Sequence, residues 1–110
     1  MAILDDPARE FVSSSFVKLE VCPKAVFHRH TVEARFYEAF FESVSEWCSD
    51  YHVMIEKALV EATDYGLSAL DALHVAAAVL LKADELVTGE KPSKPLYRTK
   101  SVKVVSLQSD

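Results

Sequence analysis

Asp71 lies in a run, Ser68 to Glu90 (SALDALHVAAAVLLKADELVTGE), that places one acid on an almost wholly apolar helix and ends in a second acid, Glu90. Leu70, Ala72, Leu73, Val75, Ala76, Ala77, Ala78, Val79, Leu80 and Leu81 surround Asp71 with apolar groups, so the helix is expected to be largely buried. A buried carboxylate needs a partner. A local one is Ser68, which with Asp71 makes an S-x-x-D pattern that puts the acid at the N3 position of a capped helix. The other is a cation. Glu20 follows the segment FVSSSF and Glu90 follows ELVT, so Glu20, Asp71 and Glu90 could converge on one edge of a parallel sheet, where sites in such folds lie. Clustered carboxylates repel one another unless a cation neutralises them. Mg²⁺ or Mn²⁺ suits such oxygen donors and can activate water for phosphodiester cleavage. Spacing leaves the ordinary alternatives open: a capping acid at Asp71, a helix-surface acid at Glu20, and a loop charge beside Lys91 at Glu90.

The elements that must position these acids alternate between strand and helix. Ile3 to Arg9 reads as the end of a helix interrupted at Pro7, and Phe11 to Phe16 as a strand running into a Ser-rich turn. Lys18 to Val21 opens a short helix that Pro23 ends. Thr31 caps a helix in which Phe36, Tyr37, Phe40, Phe41 and Val44 recur at helical spacing. Ser45 to Cys48 is a brief strand. A helix from about Asp50 to Tyr65 shows an apolar face of Ile55, Leu59 and Ala62 and a natural C-cap at Gly66. After the Ser68 helix come a strand at Glu85 to Thr88, a Pro-containing loop to Lys100, and a final strand from Val102 to Leu107. This order predicts an α/β fold with a mostly parallel sheet covered by helices on both faces.

With 110 residues, half of them hydrophobic, the chain fits one folded domain. Cys22 and Cys48 have no CxxC or Cys/His metal spacing, which points to free buried thiols and a reducing, cytoplasmic setting. No apolar run is long enough to span a bilayer. The net charge of −5 argues against a broad nucleic-acid-binding surface, but the charge is uneven. Residues 1 to 90 hold 7 Lys/Arg against 16 Asp/Glu, whereas Lys91, Lys94, Arg98, Lys100 and Lys103 follow Glu90 with no acid before Asp110. That segment is either a solvated loop or a contact to phosphates.

The run SALDALHVAAA, followed by ADELVT-G-E-K-P and a closing VKVVSL, resembles the C-terminal half of PIN domains, and SSSFVKLEV resembles their second strand and the helix after it. The resemblance covers nearly the whole chain in order, and DALHVAAA is its most specific part. It implies a three-layer α/β/α fold with a mostly parallel sheet, in a single PIN-like domain spanning 1–110. It implies a metal-dependent ribonuclease of the VapC-like toxin class, paired with an antitoxin and acting on single-stranded RNA. Glu20, Asp71 and Glu90 would then occupy the second, third and fourth acidic positions and hold Mg²⁺ or Mn²⁺. Ser14 and Thr88 would stand by as polar support, and Lys91 and Arg98 would contact RNA. Two departures accompany it: Glu90 stands where Asp is commoner, and the family's first central strand, with its catalytic Asp, has no counterpart, since Asp5 and Asp6 precede the second strand and read as surface acids. The chain is therefore expected to be an N-terminally truncated member with weak or no nuclease activity, the gap filled by direct strand pairing or by a partner subunit.

His28 and His30 flank Arg29 in a loop and read as surface histidines, and His74, one turn after Asp71, as a structural one. The aromatic set Phe36, Tyr37, Phe40 and Phe41 reads first as a core stripe. With Phe27 and Trp47 it exceeds what one helix buries, so part of it is expected to form a homodimer or antitoxin surface. A non-catalytic interaction module is thus the alternative function.

Overall fold

The computed structural model describes residues 5–107, and the chain divides after Trp47 into two compact units. The first unit contains β1 (Phe11–Ser14), α1 (Ser15–Phe27), α2 (Thr31–Glu42) and all but the last residue of β2 (Val44–Cys48), with β1 paired to β2. The second contains α3 (Tyr51–Tyr65), α4 (Ala69–Leu80), β3 (Glu85–Thr88), a 3₁₀ turn (Pro95–Arg98) and β4 (Lys103–Ser106). The class is mixed α/β, and the described strands form two separate pairs. No helix among the described residues is long and apolar enough to cross a membrane. The expected Ile3 to Arg9 helix lies partly outside the described residues; within them, Pro7 and Ala8 form a turn.

In the first unit the Ser-rich turn is absent. Ser14 ends β1 and is directly the N-cap of α1, so the FVSSSF strand stops two residues early. Pro23 also fails to end α1, which continues four residues beyond it. Proline removes one helix donor, but Leu19, whose carbonyl loses it, stands at an exposed position where solvent replaces the bond. The helix instead closes at Arg29, whose φ of 56° is left-handed, with His30 N–H donating to the Ala25 carbonyl at 2.9 Å. Thr31 is the first residue of α2 and not its cap; its hydroxyl donates to the Arg29 carbonyl at 3.4 Å. Val44 belongs to β2. Phe41 is buried and stacks on Trp47 with ring centroids 5.7 Å apart, while Phe11 meets Phe40 edge-on at 5.6 Å. Phe36, Tyr37 and Phe40 are half-buried.

In the second unit, Asp50 caps α3 by accepting the Val53 N–H at 3.2 Å. Gly66 ends the helix at φ 65°, as its lack of a Cβ allows. The expected apolar face of Ile55, Leu59 and Ala62 is corrected: Ile55 and Leu59 are exposed, and the buried positions are Met54, Ala58 and Glu61. The face one residue earlier includes a small, buried Ala58, and α3 packs against the alanine-rich α4. The expected burial of α4 holds for Ala72, Val75, Ala76, Ala77 and Ala78, while Leu70 and Leu80 remain exposed. Like α1, α4 closes on a non-glycine left-handed residue, Lys82 at φ 56°, with Ala83 N–H donating to the Ala78 carbonyl at 2.9 Å. β3 then pairs in parallel with β4, Glu85 opposite Lys103 and Thr88 opposite Ser106. The connection from Gly89 to Val102 has the length that a parallel crossover requires.

Candidate functional site

Ser68 does cap α4: its hydroxyl accepts the Asp71 N–H at 3.3 Å, which fixes the first turn and sets Asp71 at N3. The acid is half-buried, and near the helix N-terminus its charge is favoured by the helix dipole. The capping bond is made by the Ser68 hydroxyl and the backbone N–H of Asp71, not by the Asp71 carboxylate.

Thr88 and Glu90 mark the carboxyl end of β3, and here the structure is most specific. The Glu90 N–H donates to the Thr88 hydroxyl at 3.1 Å. The Glu90 carbonyl accepts from the Ser106 hydroxyl at 2.7 Å and from the Tyr97 hydroxyl at 3.5 Å. One strand further, Leu107 N–H donates to the Thr88 carbonyl at 2.9 Å. The Glu90 main chain is thus held from both sides while the residue itself is exposed, which directs a carboxylate outward from a fixed backbone.

Glu20 and Ser14 belong to the first unit. Glu20 is half-buried on α1 and close enough to Tyr37 of α2 to act on its ionisation. Burial, and then the charges of Glu33, Cys22 and Glu20, hold the Tyr37 hydroxyl above its ordinary pKa. A group so raised favours the folded state below the unfolded value of about 10 and loses that contribution as pH climbs through the folded value. Stability of the wild type should accordingly fall above about pH 10 more steeply than that of Tyr37→Phe, as read by urea unfolding at stepped alkaline pH. Identical profiles for the two proteins would remove Tyr37 from the account. Ser14 is fully buried, and among the described residues its hydroxyl has no hydrogen-bond partner.

The basic segment divides by role. Lys91 is exposed in the loop after Glu90. Arg98 is committed to the end of α3, its Nη1 donating to the Gly66 carbonyl at 3.3 Å and the Tyr65 carbonyl at 3.5 Å, where a cation also meets the negative end of the helix dipole. A Cβ on Gly66 would stand 3.1 Å from that same nitrogen. His28 and His30 are exposed, and His30 lies 3.6 Å from Glu33.

Carboxylates at Glu20, Asp71 and Glu90 have the donor chemistry of a hard-cation site. Among the described residues, however, no group of three or more His, Cys, Asp or Glu side chains is gathered to hold a metal.

Glu61 was not anticipated. It is 2 % exposed on α3, with Oε1 accepting from the Thr99 hydroxyl at 2.7 Å and Oε2 from the Ser101 hydroxyl at 2.6 Å. Lys57 Nζ lies 3.7 Å from Oε2. The available signal was its spacing from Met54 and Ala58, which places all three on one helix face. Compared with known proteins, the chain matches no family model, no curated protein and no solved structure.

Proposed function

We propose that this chain is a PIN-like, metal-dependent endoribonuclease family member of the toxin–antitoxin type, weakly active or inactive by itself, built on a three-layer α/β/α plan, with single-stranded RNA as its substrate class and the cytoplasm as its setting. The observation that carries this reading is the run from Ser68 to Glu90: a Ser-capped apolar helix with Asp71 at N3, then a parallel strand whose carboxyl end presents Glu90 on a clamped backbone. Asp71 and Glu90 supply oxygen donors for Mg²⁺ or Mn²⁺ in this reading. Lys91, exposed beside Glu90, meets an RNA phosphate. Arg98 contributes mainly by holding the basic segment against α3, with its remaining N–H groups left for phosphate.

A second reading, a non-catalytic module that binds an antitoxin-like helix or a second copy of itself, draws on exposed apolar side chains of the first unit: Phe27 is 81 % exposed and Val32 84 %. Titration with Mn²⁺ separates the two. The nuclease-family reading expects saturable binding that Asp71→Asn weakens at least tenfold, with cleavage of single-stranded RNA weak or absent in the wild-type chain itself. An absence of saturable Mn²⁺ binding in the wild-type chain would sink the nuclease reading and leave the module.

A further inference from the structure

We infer that Glu61 is a positioning residue for the Glu90 turn, acting through the register of β4. A four-residue parallel pair specifies its own register weakly. The burial of β4 does not help, because Val104, Val105 and Ser106 are half-buried in succession with no alternation between faces. Side chains alternate along a strand with period two, so a slip of one residue would turn Ser106 to the opposite face. That slip would remove the 2.7 Å bond from the Ser106 hydroxyl to the Glu90 carbonyl and displace the Leu107 N–H from the Thr88 carbonyl.

The phase is instead set before the strand begins. Thr99 and Ser101 are tied to the two oxygens of one buried carboxylate, and the Ser101 N–H also donates to the Thr99 hydroxyl at 3.1 Å, so this bend has one arrangement. Val102 alone separates Ser101 from Lys103, which enters opposite Glu85 and lies 3.5 Å from its carboxylate. Arg98 anchors the segment from its other side on the last carbonyls of α3. Glu61 therefore fixes which residue of β4 faces which residue of β3, and through Ser106 it fixes the backbone that carries Glu90. That a correctly placed Glu90 serves a cation rests on the nuclease reading above, whereas the register claim does not.

Amide hydrogen exchange on the full chain tests it, with wild type, Ser101→Ala and Glu61→Gln compared at the amides of Glu90 and Leu107 and along α4. Ser101→Ala removes one charge-assisted bond, and Glu61→Gln takes the charge from both and turns one acceptor oxygen into a donor; in each variant exchange at Glu90 and Leu107 is expected to accelerate about tenfold while α4 is unchanged. Mn²⁺ affinity, titrated on the same samples, should fall in parallel. Unchanged exchange at Glu90 and Leu107, or an equal acceleration throughout α3, α4, β3 and β4, would overturn the register role. A wild type that binds no Mn²⁺ overturns the metal role of Glu90 alone, and the exchange result stands by itself. Ser101→Ala, the milder change at an exposed position, carries the test even where Glu61→Gln does not fold.

Discussion

Glu61→Ala should destabilise the protein by about 3 kcal/mol, because it deletes a buried acceptor that two hydroxyls share. Thr99 is itself buried, so its hydroxyl would lose the carboxylate without gaining full access to water. The remaining cost comes from the space that the side chain filled. Relief of the carboxylate's own desolvation offsets part of this, which keeps the expected loss well below the sum of the separate bonds. The asymmetry between breaking a polar network and replacing it yields a sharper form of the prediction. Glu61→Leu combined with Thr99→Val and Ser101→Ala removes both hydroxyl donors together with their acceptor; only the Ser101 N–H, at an exposed position where water can take it, loses its bond to the Thr99 hydroxyl, so the triple variant should restore much of the loss. Urea unfolding of the two proteins measures both numbers. A single Glu61→Ala variant within about 0.5 kcal/mol of wild type would show that the network contributes nothing to stability.

Much of the second unit was legible from residues because local chemistry and tertiary structure agree there. Ser68 is a strong N-cap type and Gly66 a strong C-cap type, and each occupies the position its chemistry predicts, while Asp50, read only as the start of α3, is its N-cap. The ELVT strand likewise sits between recognisable boundaries. Where the reading failed, the chain used residues that carry no such signal. With two glycines in the whole sequence, α1 and α4 close on Arg29 and Lys82 in the left-handed region, a conformation nothing in those side chains advertises. Pro23 read as a helix end because the loss of a donor is costly in a buried helix, yet its partner carbonyl belongs to an exposed position.

The candidate site divides along the same line. Asp71 could be singled out from its apolar surroundings and Ser68, and Glu90 from its place just past a strand, whereas Thr88 is implied only by the PIN resemblance. The clamp on Glu90 could not be found, since Tyr97 and Ser106 reach it from segments whose approach depends on the register of β4. The positive charge of Arg98 is visible in the sequence, whereas its bonds to the end of α3 depend on a fold-level approach between residues 32 and 33 positions apart. Glu61 was hidden for a related reason. A glutamate on a helix is usually solvated, and it becomes a core residue here only because two hydroxyls from a distant bend satisfy it.

The choice of buried face on α3 predicts the second large effect. Met54 is 0 % exposed and Leu59 is 64 % exposed, although both are apolar residues on one helix. Met54→Ala should therefore cost about 3 kcal/mol, from lost transfer energy and from a cavity that the rigid alanine surface of α4 cannot close. Leu59→Ala should change stability by less than about 0.5 kcal/mol. Methionine fills irregular space, so Met54→Leu should be tolerated at a cost under about 1.5 kcal/mol. This ordering is opposite to the one that the Ile55, Leu59, Ala62 stripe predicts, in which Leu59 would be the anchor. Comparing urea midpoints of the three variants decides between the faces: a Leu59→Ala loss equal to or larger than that of Met54→Ala would return the core of α3 to the stripe. The same measurement bears on Glu61, which shares the buried face with Met54 and Ala58, because rotation of α3 toward Leu59 would carry the carboxylate away from Thr99 and Ser101.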